Sequence, residues 1–148
     1  MTQMDFSRVQ RILDLSFVVM VLPFGGLLCI VISILSIIIE RNLKVFFLQE
    51  RRGRYGRIFK IIKFRTMAEI KPKGELKVTP FGLLLRRTSL DEIPQLFNIL
   101  LGQMSFVGPR PIIYEVSEKT REIMSRESVR PGLTGLAQIT FRGSKRSL

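Results

Sequence analysis

The chain has 148 residues, with 24 Lys or Arg against 12 Asp or Glu, no histidine and one cysteine, Cys29. That length describes one domain. The cysteine count excludes an intramolecular disulfide and, with no histidine, the usual zinc sites. Any metal would then be a hard cation on oxygen ligands, with Mg²⁺ the first choice. The formal charge of +12 coexists with a mean hydropathy of +0.23 because the two are segregated. Arg8 and Arg11 cancel Asp5 and Asp14 within residues 1–39, so the excess belongs to residues 40–148. An apolar anchor ahead of a basic domain points to an anionic surface or a polyanionic ligand.

Leu15 to Ile39 is an uncharged run of 25 residues. As one straight helix it measures roughly 37 Å against a hydrocarbon core of about 30 Å, enough to span with some tilt. It is too long for the apolar core of a signal peptide and lacks a small-residue cleavage site. Pro23, Gly25 and Gly26 interrupt it, and a mid-helix proline predicts a bend near Pro23. Arg8 and Arg11 precede the run and Arg41 and Lys44 follow it, so the positive-inside rule gives no polarity. Two readings stand from these residues: a plain single span, or a helix-break-helix that dips into one leaflet and returns.

Residues 45–49 and 58–65 are β-branched and aromatic and flank Arg51-Arg52-Gly53-Arg54-Tyr55-Gly56, which predicts a hairpin. Val45 to Gln49 offers a strand edge. Seven of the fifteen residues from 51 to 65 are Lys or Arg and none is acidic. Such a run is a solvated face, a dock for anionic headgroups at about 1 kcal/mol per residue, or a contact to a ligand phosphate. Residues 69–77 are polar and predict a surface loop. Residues 79–85 predict a short helix ending at Arg86 and Arg87. A further helix is expected over 94–101 with Gly102 as its stop, a charged helix over 114–128, a turn over 130–135 and a short strand over 136–141.

Ser89-Leu90-Asp91-Glu92 carries two readings. In one it is a capping box, with Ser89 as N-cap and Glu92 reaching back. Pro94 weakens this, because proline favours the first helical position and so places the helix start after the carboxylates. There the helix N-terminus, Arg86 and Arg87 favour ionised carboxylates, and an ionised aspartate can serve as nucleophile or metal ligand. Gly108-Pro109-Arg110-Pro111 is likewise either a simple turn or a rigid mount for one guanidinium aimed at phosphate. With only a helix and a loop between, the two motifs are able to share a pocket. A nucleic-acid-binding module would explain the charge but neither the anchor nor the carboxylate pair.

Four blocks carry a resemblance. They are Val45-Phe46-Phe47-Leu48-Gln49-Glu50-Arg51 with Gly53, Lys63-Phe64-Arg65-Thr66-Met67, the segment 86–111, and Arg130-Pro131-Gly132-Leu133-Thr134-Gly135-Leu136-Ala137-Gln138. Over residues 8–142 the chain resembles the bacterial sugar transferases, monotopic phosphoglycosyl transferases that begin the assembly of membrane-bound glycans and exopolysaccharides. The resemblance implies an α+β fold in which residues 1–39 form a proline-bent re-entrant membrane helix. Residues 40–148 would form a small helical domain with a β-hairpin, on the cytoplasmic face of the inner membrane. It implies transfer of a phosphosugar from a nucleoside-diphosphate sugar to a polyprenyl phosphate with Mg²⁺. Asp91 would be the nucleophile and Glu92 would assist metal binding or positioning, with both as metal ligands. Lys63, Arg65, Arg86, Arg110 and Arg142 would hold phosphates, and Gly108, Pro109 and Pro111 would shape the loop.

The sequence departs from the family in two places. Leu22-Pro23 stands where Ser-Pro is common, so a serine hydroxyl that would satisfy a freed carbonyl is absent. After Gln138 the expected Gly-Arg-Asn-like stretch and further helices do not follow, which predicts that the C-terminal part of the family domain is missing. A second expectation follows: an inactive, truncated relative that binds anionic lipid or a partner through its basic face.

Overall fold

The computed structural model describes residues 3–70, 74–114 and 121–135. Arg142 and the strand expected over 136–141 lie outside these residues. Helix α1, Gln3–Glu40, is continuous through Pro23, the position at which the sequence predicts a bend. A mid-helix proline removes one donor without necessarily ending the element. One stripe of the helix is buried: Asp14, Val18, Cys29, Ile32 and Ser36 are all 9% exposed or less, at helical spacing. Most of the other large apolar side chains stay open, among them Phe24 at 77% and Ile38 at 65%. Gly25 sits in the stripe because a Cβ there would lie 2.7 Å from Leu96 Cδ1.

The predicted hairpin is present. Strand β1, Phe46–Arg52, pairs antiparallel with β2, Ile58–Phe64, in a register that opposes Arg51 to Phe59 and Phe47 to Lys63. Side chains opposite one another share a face, so Arg51, Phe59, Ile61 and Lys63 look the same way. The turn is made by Tyr55 (φ 59°) and Gly56 (φ 71°). Residues 69–77, expected as a loop, instead contain most of a second hairpin of β3, Met67–Ile70, and β4, Glu75–Val78. The described side chains of residues 69 and 74–77 are exposed, so no apolar alternation marks these strands in the sequence.

Helix α2, Pro80–Thr88, starts on Thr79, whose side chain accepts from the Gly82 amide at 2.9 Å. Pro80 occupies the first turn, where its missing donor costs nothing. Gly82 is required because a Cβ would lie 2.2 Å from the Thr66 carbonyl oxygen. A one-turn 3-10 segment, Leu90–Glu92, then leads into α3, Gln95–Leu100. Gly102 (φ 77°) ends that helix as expected. Strand β5, Ser105–Val107, is followed by β6, Ile112–Ile113, which extends the first hairpin by pairing with Arg51 and Arg52. Of the charged segment 114–128, the structure gives α4, Arg121–Glu127. The expected turn over 130–135 holds β7, Gly132–Thr134, which pairs parallel with β5.

Asn98 joins α3 to the sheet. It is 1% exposed, donates to the Lys60 carbonyl at 2.8 Å and accepts from the Ile62 amide at 3.1 Å. It thereby satisfies an open edge of β2 as a neighbouring strand would. Two apolar clusters meet above this junction. Val18, Phe59, Ile61, Leu96, Ile99 and Met104 form one, and Cys29, Ile32, Val45, Phe64 and Leu85 the other, with Ile93 packed against both. Ile93 directly follows Glu92, so the core fixes the carboxylate pair.

Candidate active site

Ser89 adopts a left-handed conformation (φ 59°) and makes no side-chain cap bond to the 3-10 segment. The Glu92 carboxylate turns instead to two cations. Lys63 Nζ donates to Glu92 Oε1 at 2.8 Å and Arg110 Nη2 donates to the same oxygen at 3.3 Å. The capping-box alternative is therefore not what this segment forms. Asp91, one residue earlier, joins no ion pair among the described residues.

The two carboxylates are pushed in opposite directions. Burial raises Asp91 above the ordinary aspartate range and the neighbouring Glu92 charge adds to this, while Lys63 and Arg86 only partly oppose it. Burial acts upward on Glu92 too, but Lys63 and Arg110, by charge and hydrogen bond, bring it below the usual glutamate range. One carboxylate is thus a fixed anion within a cation clamp, and the other is a more basic, less committed oxygen donor.

The arginine loop is mounted rigidly. A Cβ on Gly132 would lie 2.1 Å from the Gly108 nitrogen, and one on Gly108 would lie 2.4 Å from the Arg130 carbonyl oxygen. With two glycines the chains touch backbone to backbone: the Gly108 amide donates to Thr134 at 3.0 Å and the Gly132 amide to Pro109 at 2.9 Å. The Pro111 carbonyl accepts from Arg51 Nη1 at 3.1 Å, and the Arg110 carbonyl accepts from Arg126 Nη2 at 2.9 Å. Gly108, Pro109 and Pro111 therefore shape the loop that presents Arg110.

The remaining cations expected from sequence divide. Arg86 donates to Thr66 Oγ1 at 2.8 Å and its charge reaches Asp91. Arg65 donates to the Lys44 carbonyl at 3.0 Å, which ties it to the exit of α1 and not to Glu92. Two residues missed by the sequence reading belong to the site. Arg51 and Gln95 line the same 230 Å³ open concavity as Lys63, Glu92 and Arg110. Arg51 could have been found from β-register, because it shares a face with Lys63. Gln95 carried no signal beyond a polar residue at the start of an apolar helix. Among the described residues no three potential metal ligands cluster.

The comparisons with known proteins fit this arrangement. The family model for bacterial sugar transferases matches residues 6–147. The chain belongs to the bacterial sugar transferase family. A UDP-glucose:undecaprenyl-phosphate glucose-1-phosphate transferase of Klebsiella pneumoniae is 41% identical over 143 residues, covering 84% of the chain and 31% of the relative. A UDP-N-acetylgalactosamine-undecaprenyl-phosphate N-acetylgalactosaminephosphotransferase of Aeromonas hydrophila is 37% identical over 146 residues, covering 90% of the chain and 34% of the relative. The sugar transferase EpsL of Bacillus subtilis, whose own role is uncharacterized, is 36% identical over 143 residues, covering 92% of the chain and 70% of the relative. This family member thus spans about a third of the length of the first two relatives.

Proposed function

We propose that this chain transfers a phosphosugar from a nucleoside-diphosphate sugar to a polyprenyl phosphate, through a covalent intermediate on Asp91. The transfer would initiate glycan or exopolysaccharide assembly at the cytoplasmic face of the inner membrane. The observation that carries the reading is the split between adjacent carboxylates: Glu92 is held by Lys63 and Arg110, while Asp91 is raised by burial and by Glu92. Names of the Klebsiella and Aeromonas relatives give the same donor and acceptor classes.

An Asp91 oxygen forms a bond to the sugar-bearing phosphorus as the bond to the bridging oxygen breaks, and the nucleoside monophosphate leaves. A polyprenyl phosphate oxygen then attacks the same phosphorus, and Asp91 departs as carboxylate. Each half is a displacement at phosphorus, and covalent catalysis divides one hard transfer into two. Both reactants are anions, so Lys63, Arg110, Arg51 and Arg86 offset their repulsion and the charge developing on phosphate oxygens. A lipid phosphate is already ionised near neutral pH, which lightens the need for a general base in a chain without histidine.

Mg²⁺ fits this donor set in a limited way. It accepts one or two carboxylates together with substrate phosphates and water, and Asp91 is the member of the pair that joins no ion pair among the described residues. Glu92 would contribute through an oxygen not held by the clamp. When bound, the ion would neutralise phosphate charge.

The membrane path we propose is re-entrant, with α1 entering one leaflet, bending at Pro23 and returning. Cations stand at both ends of the apolar run. The domain also packs along α1 from Asp14 to Ser36, roughly 33 Å of helix. A perpendicular crossing with this seating would carry charged residues of α2 and the pocket toward the hydrocarbon centre, at about 2.5–3.5 kcal/mol for each.

The test is nucleoside monophosphate release by membrane-reconstituted protein given polyprenyl phosphate, Mg²⁺ and a panel including UDP-glucose and UDP-N-acetylgalactosamine. Release that disappears in Asp91→Asn supports the proposal. Release that survives in Asp91→Asn removes the nucleophile assignment, and no release with any donor removes the activity.

A further inference from the structure

Among the described residues, six buried side-chain polar atoms have no hydrogen-bond partner, and they fall in three places. Asp14 Oδ2 and Ser36 Oγ lie on the packed stripe of α1. Arg52 Nε and Glu127 Oε1 belong to side chains that face each other, with Arg52 Nη1 3.7 Å from Glu127 Oε1, so that carboxylate oxygen has a charge partner. Arg51 Nε and Gln95 Nε2 are the remaining two, and both residues line the concavity beside Glu92. Buried donors without acceptors are rare and costly, at about 1–3 kcal/mol each.

Gln95 is 2% exposed, held at the start of α3, three residues after the fixed carboxylate. Arg51 is immobilised by two other bonds, to the Pro111 carbonyl and the Gln49 side chain, so its Nε direction is set. The concavity also receives Lys63 and Arg110, and among the described residues Glu92 is the one acidic residue in its lining. Three cations against one carboxylate leave a net positive site whose spare donors are an amide N–H and a guanidinium N–H. An oxyanion is the ligand chemistry that accepts from both.

We propose that Gln95, with Arg51, binds a phosphate group of the substrate in the concavity beside Glu92, making Gln95 a substrate-binding residue. This rests on the transferase reading for the identity of the phosphate, which comes either from the nucleotide-sugar donor or from the polyprenyl phosphate acceptor. The Gln95 amide donates to a phosphate oxygen whose charge Lys63 and Arg110 offset in the same concavity. A neutral donor adds direction to a site whose cations already supply charge.

Gln95→Met keeps the length and removes the amide, and Gln95→Glu keeps the shape and replaces a donor by an anion. Full-length wild type and both variants are compared by thermal unfolding, by calorimetric binding of inorganic pyrophosphate and UMP, and by separate KM values for donor and acceptor. We expect Gln95→Met to unfold at or above the wild-type temperature, because an unsatisfied buried donor is gone. Anion affinity should fall about ten- to a hundred-fold, with kcat changed less than KM, and Gln95→Glu should bind more weakly still. A rise confined to the donor KM, with loss of UMP binding, assigns the phosphate to the nucleotide sugar; a rise confined to the acceptor KM assigns it to the lipid. Wild-type anion affinity in Gln95→Met, whether or not its unfolding temperature drops, overturns the proposal. Pyrophosphate binding that is lost in Gln95→Met, in a wild type that turns over no donor, keeps the anion site and rejects the transferase reading.

Discussion

Where the N-terminal part of α1 meets β5 and the end of α3, Gln10, Arg11 and Asp14 each reach another element of the chain. Gln10 donates to Ser105 Oγ at 2.9 Å and to the Val107 carbonyl at 3.0 Å. Asp14 Oδ1 accepts from Ser105 Oγ at 2.9 Å and from the Phe106 amide at 3.1 Å. Arg11 donates to the Ile99 and Leu100 carbonyls at 2.6 and 2.9 Å, capping the negative end of α3. In the concavity beside Glu92 the same residue types behave differently. Cations crowd one carboxylate, and Arg51 Nε and Gln95 Nε2 have no acceptor among the described residues. The first region uses charge to seat an apolar helix on a basic domain, while the second holds charge ready for a ligand. Burial alone does not separate them, because Asp14 at 5% exposure and Gln95 at 2% are equally enclosed. Their surroundings separate them: Asp14 Oδ1 accepts two protein donors, whereas Gln95 lines a concavity that Arg51, Lys63 and Arg110 make positive.

The strongest way to break this contrast is Glu92→Gln. It removes the anion that both Lys63 and Arg110 hold, so both cations lose their set positions. Nucleotide release should fall about 10²-fold or more, and unfolding free energy should fall by about 1–3 kcal/mol. A Glu92→Gln protein with wild-type rate and stability would show that the clamp is incidental.

Asp14→Ala tests the other region. It leaves the Ser105 hydroxyl and the Phe106 amide without their acceptor and should cost about 1–3 kcal/mol in chemical denaturation. The rate per folded molecule should be unchanged. Asp14→Asn keeps an acceptor oxygen in place, and because Oδ2 has no partner the substitution should stay within about 0.5 kcal/mol. A larger loss in the rate of Asp14→Asn than in its stability would move Asp14 into the chemistry.

The smallest effect concerns pH. Asp91 is raised in the folded protein, so its ionised form opposes folding. Its favourable contribution is present below the ordinary carboxylate range and lost as pH rises through the folded value. Glu92 is lowered, so its contribution is present above that range and lost as pH falls. Asp91→Asn should therefore be more stable than wild type by about 0.5–1 kcal/mol at neutral pH, and the gain should vanish in acid. Unfolding curves at neutral and acid pH read this directly, and an Asp91→Asn protein less stable at neutral pH would contradict it.

Much of the fold was legible in the chain. The hairpin followed from β-branched runs around a glycine turn, α2 from Thr79-Pro80, and the α3 boundaries from Pro94 and Gly102. These are local signals, set by backbone stereochemistry within a few residues. The β3–β4 hairpin was not legible because its described side chains are largely exposed and so carry no apolar alternation. Arg65 and Lys63 are two residues apart in one cationic run, and nothing local says that Lys63 reaches Glu92 while Arg65 reaches Lys44.

By itself the sequence determined an apolar N-terminal helix, a basic domain, a carboxylate pair placed before a short helix, and an arginine set between two prolines. The tertiary structure alone decided which carboxylate is paired, which cations pair it, and that Arg51 and Gln95 enter the same concavity. Those contacts join residues 18 and 29 positions apart, as Arg110 and Lys63 reach Glu92. They depend on Asn98 docking α3 on the edge of β2 and on Gly108 meeting Gly132 backbone to backbone. Such contacts are set by packing in three dimensions, and no local rule of the chain encodes them.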